Sequence, residues 1–162
     1  MIKEYSFKYG DGVVSLPLEE NQVISILDGN KNKTINNIKE ELYSSLDNPI
    51  SSDSLEIIAS KAKSIVLVVS DMTRFWMRQD LIVPHIISYL VDKCNKSLSD
   101  IEIIIANGTH KGGSCEELKK LVTPEVYSSV KVFNHDAKDD KNLVYLGTTS
   151  FNTPVYINKD AV

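Results

Sequence analysis

The period of the hydrophobic positions changes several times along the chain, and each change marks an element. Residues 5–9 alternate, Gly10-Asp11-Gly12 supplies a turn, residues 13–18 can return beside the first strand, and residues 23–27 add a third strand that Asp28-Gly29-Asn30 breaks. Thr34 then stands as the N-cap of a helix in which Ile35, Ile38, Leu42 and Leu46 recur at helical spacing until Asn48-Pro49. Ser52 and Glu56, with Leu55, Ile57 and Ile58, predict a second short helix. A third covers residues 81–94, where Ile82, Ile86, Leu90 and Cys94 share a face and Pro84 must fall within the first turn.

Between these helical patterns lie uncharged apolar runs. Ile65-Val-Leu-Val-Val predicts a strand buried on both faces, closed by the polar cluster Ser70, Asp71, Thr73 and Arg74. A second such strand, 101–106, ends in Asn107-Gly108-Thr109-His110-Lys111-Gly112-Gly113, after which Ser114 and Glu117 form a capping box for a helix over 116–121. A third, 130–133, ends in Asn134-His135-Asp136, and residues 143–146 and 155–157 predict a closing hairpin. Strand-helix-strand order implies right-handed crossovers and a parallel core. The expected class is α/β: a largely parallel sheet flanked by helices, with an antiparallel amino-terminal element and a carboxy-terminal hairpin, in one domain spanning residues 1–162. In that arrangement Asp71, Arg74, Asn107, His110, His135 and Asp136 emerge at one sheet edge, where ligands of open α/β folds bind.

Composition narrows the partners. With 18 basic against 22 acidic residues and no long basic run, the chain has no footprint for nucleic acid or an anionic membrane. Its start, MIKEYSFKYG, lacks a secretory apolar core, and no apolar run nears the ~20 residues that span a bilayer. Cys94 and Cys115 form neither a metal-type nor a disulfide-framework spacing, so a reduced cytoplasmic protein is expected.

Each polar residue at that edge has two readings. Asp71 either caps a turn or faces a ligand. Arg74 is either a surface arginine or, in the first turn after a buried strand, a bidentate partner for a planar anion. His110 sits among glycines that let a backbone approach something closely, or in a plain solvated loop. His135 reads as a ligand, a base or a turn cap, and His85 as a structural residue of the third helix. Gly108 to Gly113 does not follow the P-loop or dinucleotide pattern. Phe75-Trp76-Met77 is apolar, either core or a contact with another domain.

Four stretches in order, SDMTR (70–74), ANGTHK (106–111), NHD (134–136) and LGTTSFNTPVYIN (146–158), resemble the amino-terminal part of the nickel-dependent lactate racemase family. The early YGDG and PLEEN segments are similar too, so the resemblance covers nearly the whole chain. It implies a racemase or epimerase of 2-hydroxy acids that uses a nickel pincer nucleotide as hydride acceptor while histidines exchange the hydroxyl proton. It assigns His110 as one catalytic histidine, and Asp71, Thr73, Arg74 and Lys111 as substrate- or cofactor-binding residues. Phe75 and Lys111 stand where the family commonly has Pro and Arg. The family's second histidine, cofactor-bearing lysine and nickel-ligating histidine belong to a later stretch without a counterpart here. The chain is therefore expected to be the amino-terminal part of a longer protein, to depend on the missing carboxy-terminal part as its partner, and by itself to be inactive and to hold no cofactor. Two alternatives stand beside this: a non-catalytic module binding a carboxylate or the cofactor, and a His/Asp metal hydrolase built from Asp71, His110, His135 and Asp136.

Overall fold

The computed structural model describes residues 1–27, 29 and 34–162. They fall into two compact units, Met1–Thr34 and Ile35–Val162. In the first, β1 (Ile2–Tyr9) and β2 (Gly12–Glu19) pair antiparallel from Ile2↔Glu19 to Tyr9↔Gly12, with Gly10 at φ +57° in the turn. The expected third strand at residues 23–27 does not form. A 3-10 turn, Glu20–Gln22, follows β2 instead, closed by the Gln22 side chain on the Glu19 amide, and the chain beyond finds no strand to pair with. Of the breaker predicted next, Asp28 and Asn30 lie outside the described residues.

In the second unit the first helix begins later than Thr34. Asn37 caps α1 (Ile38–Asp47) by accepting the Glu40 amide, which leaves Ile35 outside the helix and exposed. The second short helix forms as α2 (Leu55–Lys61), with Ser54 accepting the Ile57 amide as its cap. β3 (Ile65–Ser70), β4 (Ile101–Ala106) and β5 (Lys131–Asn134) form a parallel sheet in the order β3-β4-β5, joined through α3 (Val83–Asp92), and through α4 (Cys115–Val122) and α5 (Pro124–Ser129). Pro84 lies in the first turn of α3, where its missing N–H is no loss. The capping box of Ser114 and Glu117 forms as expected, whereas α5, a six-residue helix begun by Thr123 and Pro124, has too short a pattern to read from sequence. The carboxy-terminal hairpin is β6 (Leu143–Thr148) with β7 (Pro154–Asn158).

The main hydrophobic cluster lies on one face of the sheet, although Ile104 of the central strand is buried on the other. Ile101, Ile103 and Ile105 of β4 and Val69 of β3 pack into a single cluster with Val83, Ile87 and Leu90 of α3, Leu118 and Leu121 of α4, and Val126 of α5. Side chains alternate across a strand, so Val68 points to the other face and is 58% exposed, and there Lys131 pairs with Glu102 at 2.9 Å. The expectation that the β3 run is buried on both faces therefore fails. An unbroken apolar run reports strand formation and not which faces are covered. What positions the site is the register: Ser70 pairs with Ala106 and Ile105 with Asn134, so the three loops that follow leave the sheet at one end.

Candidate functional site

Immediately after β3 the chain turns into a 3-10 segment, Met72–Met77. Asp71 starts it, accepting the Thr73 amide at 3.2 Å and the Thr73 hydroxyl at 2.6 Å. The turn cap foreseen for Asp71 is thus present, and it occupies Oδ1 alone. Oδ2 faces His110, whose Nδ1 lies 2.6 Å away. The Thr73 hydroxyl, and after it the His110 ring, hold the Asp71 carboxyl below the usual carboxylate range. An ionised carboxylate can only accept, so the neutral His110 ring carries its proton on Nδ1 and keeps a lone pair on Nε2. The imidazole side chain is 55% exposed while the carboxylate behind it is 11% exposed, which gives a buried orienting group and an accessible base.

The loop bearing His110 is held at both ends. Its first turn closes from the His110 amide to the Asn107 carbonyl at 3.0 Å, with Gly108 at φ +58°, a conformation that favours glycine. Asn107 is buried, and its side-chain amide donates to Asn134 Oδ1 at 3.0 Å and to the His135 carbonyl at 3.1 Å. Asn134, at the end of β5, also accepts from the Gly113 amide at 3.0 Å and donates to the Gly113 carbonyl at 2.8 Å. A Cβ on Gly112 would meet the Asn134 amide at 3.1 Å, so this glycine lets the loop lie against it. Asn107 Oδ1 is left buried with no hydrogen-bond partner among the described residues. A further clamp, invisible in the sequence, is Gln79, whose side chain accepts from the Ser70 amide at 2.8 Å and donates to its carbonyl at 3.3 Å.

These residues line a cleft of about 540 Å³ bounded by Asp71, Thr73, Asn107, His110, Lys111 and Glu117, among others. Glu117 was not foreseen there; its carboxylate takes the Ser114 amide at 2.7 Å, which holds its pKa below the usual range. The structure therefore gathers Asp71, Thr73, His110 and Lys111 into one wall. Arg74 is not part of it. It is exposed on the same 3-10 segment, its Nη1 3.5 Å from Thr73 Oγ1, and it pairs with no carboxylate among the described residues. In the neighbouring triplet Phe75 packs on the core while Trp76 and Met77 are exposed. His135 belongs to a second cleft and meets Asn158. Among the described residues no three His, Cys, Asp or Glu side chains gather as a metal site, so the four residues considered for a hydrolase do not assemble one.

Residues 9–162 match the model of the lactate racemase N-terminal domain. The lactate racemase of Thermoanaerobacterium thermosaccharolyticum is 28% identical over 156 residues, covering 95% of this chain and 36% of that protein. That of Lactiplantibacillus plantarum is 31% identical over 126 residues, covering 76% of this chain and 28% of the relative. The chain thus spans about a third of the length of the curated relatives it matches. The fold is that of the solved lactate racemase apoprotein from T. thermosaccharolyticum, with a TM-score of 0.82 at 23% identity over 97% of this chain and 36% of that one. With nearly its whole length matched by that model, the chain belongs to the lactate racemase N-terminal domain family.

Proposed function

We propose that this chain is the amino-terminal portion of a lactate-racemase-like enzyme acting on a 2-hydroxy acid, with His110 as a general base of the reaction. The observation that carries this reading is the 2.6 Å contact between His110 Nδ1 and Asp71 Oδ2. It leaves Nε2 free to take the proton of a substrate hydroxyl and sets a carboxylate behind the ring to stabilise the imidazolium that results. The reverse transfer returns the proton to the hydroxyl oxygen. Thr73 keeps Asp71 in place and ionised.

Substrate orientation falls to the cations. A guanidinium grips two carboxylate oxygens at once, and Arg74 has no carboxylate partner in this chain's described residues, so it is the group assigned to an anionic part of substrate or cofactor. Lys111 adds a point charge at the cleft wall. For a nickel pincer nucleotide, Thr73 and Lys111 at the cleft and Arg74 beside it are the residues assigned to contact it, and the unpartnered Asn107 Oδ1 would be an acceptor for a ligand hydrogen. Such a cofactor would supply hydride acceptance at the carbinol carbon. Its metal ligands and tether are assigned, on the family resemblance, to the remaining part of the enzyme.

The test is racemisation of D- and L-lactate by this chain alone and by the complete protein that carries it. Turnover by the complete protein and none by the chain alone is expected. Full activity of the chain alone, or a complete protein that binds lactate without inverting it, would overturn the reading; the second result would favour a binding module.

A further inference from the structure

On the opposite side of the His110 loop lies a second cleft of about 610 Å³, bounded by the Gly108–Gly112 backbone and by residues 134–138. Its chemistry is set by an amide. Asn158, buried at the end of β7, accepts the Asp160 amide on Oδ1 at 3.0 Å, and this backbone donor fixes which way the carboxamide faces. Its Nδ2 therefore points at His135 Nδ1, 3.2 Å away. An amide nitrogen can only donate, so Nδ1 of His135 is the acceptor and the ring proton of the neutral imidazole resides on Nε2. His110 has the opposite setting, with its proton on Nδ1 facing Asp71. Two imidazoles that line one cleft are thus held in complementary tautomers, one as base and one as donor.

The charges around His135 favour the same kind of ligand. Lys111 and Lys138 line this cleft, and among the described residues neither makes an ion pair. Of the residues lining this cleft the carboxylate is Asp136, and its Oδ1 is already engaged by the Lys138 amide at 2.9 Å. Within this cleft two ammonium groups that make no ion pair among the described residues and a fixed neutral N–H therefore stand against the partly satisfied Asp136, while Glu117 acts on Lys111 from the first cleft and Asp140 lines a neighbouring pocket with His135.

We propose that this second cleft binds an oxyanion, with His135 donating from Nε2 and Lys111 and Lys138 supplying the charge. The ligand class is a carboxylate or a phosphate group. Nothing in the inference requires His110 to act as a base. Oxyanion binding at His135 would stand if the racemase reading failed, and a racemase could work with this cleft empty.

The experiment is histidine-selective ¹⁵N NMR on the 162-residue chain, about one pH unit above the ordinary histidine pKa, with sodium acetate and inorganic phosphate titrated separately. The expected result is a long-range correlation pattern of the Nε2–H tautomer for His135, and a saturable shift of its Nε2 with at least one anion. A response to acetate alone assigns a carboxylate, to phosphate alone a phosphoryl group, and to both an unselective oxyanion site. Lys138→Gln and His135→Phe should each weaken the response about tenfold or more, which is the scale of one charge-assisted hydrogen bond, and His135→Gln, which keeps a side-chain N–H, should recover part of that loss. If His135→Phe does not fold, the exposed Lys138→Gln variant decides. An Nδ1–H pattern for His135, no saturable shift with either anion, or an affinity unmoved by Lys138→Gln would overturn the proposal.

Discussion

The His110 ring holds its Nδ1 2.6 Å from Oδ2 of Asp71, a residue 39 positions earlier in the chain. The parallel pairing of β3 with β4 makes this contact possible, because Ser70 and Ala106 are register partners and the two loops leave neighbouring strands side by side. Thr73 occupies the other carboxylate oxygen, so Asp71 has one oxygen for holding its own loop and one for orienting the histidine.

Removing the base separates chemistry from binding. In the complete enzyme His110→Ala should lower kcat by about 10²–10⁴-fold, the usual contribution of a positioned general base, with a much smaller change in KM. Steady-state kinetics in both directions of racemisation check this, and a rate within a few-fold of wild type would make His110 a loop residue.

The Asp71 carboxyl carries a pH dependence. Its folded-state pKa is lowered, first by the Thr73 hydroxyl and then by His110, relative to the unfolded chain. A depressed carboxyl pKa contributes stability that is fully present above the ordinary unfolded value and is lost as pH falls through the lower folded one. Acid unfolding of Asp71→Asn should therefore show a weaker pH dependence than wild type in the range below the ordinary carboxyl pKa. Carboxyl ¹³C NMR should find Asp71 titrating below the exposed aspartates, and an ordinary titration would remove the dyad.

Arg74 tests the guanidinium fork. Arg74→Lys in the complete enzyme should reduce kcat/KM by roughly ten- to a hundredfold with an unchanged melting temperature, because lysine keeps the charge and loses the bidentate grip. The Arg74 side chain is exposed, and its side-chain hydrogen bond among the described residues is the long one to Thr73, so the fold should not depend on it. A large drop in melting temperature would assign it a structural role instead.

Asn134 should prove to be the latch of the His110 loop. Asn134→Ala removes one of the two partners of Asn107 Nδ2 and the side-chain partners of the Gly113 amide and carbonyl, a loss of about 1–3 kcal/mol for leaving such polar groups unsatisfied. Chemical denaturation measures the loss, and hydrogen exchange should show faster opening of residues 108–113 while β3 and β4 stay protected. Uniform protection across the loop would show that Gly112 and Gly113 hold their place without it.

Local signals in the chain were enough to encode part of this protein. Uninterrupted apolar runs placed the three parallel strands, Ser114 with Glu117 marked the start of α4, Pro84 fell in the first turn of α3, and the SDMTR, ANGTHK and NHD stretches pointed to the right family. Each of these depends on neighbours within a few residues or on an ordered set of motifs. Tertiary structure alone decided the rest. Residues 23–27 carry a strand-like pattern but find no edge to pair with, and Val68 sits in a buried-looking run yet faces outward, since pairing and coverage depend on distant segments. The same holds at the site. Asp71 orients His110, Asn158 sets the tautomer of His135, and Gln79 and Asn134 clamp loops they do not adjoin in sequence, because hydrogen-bond geometry across strand ends exists only once the sheet has brought those ends together.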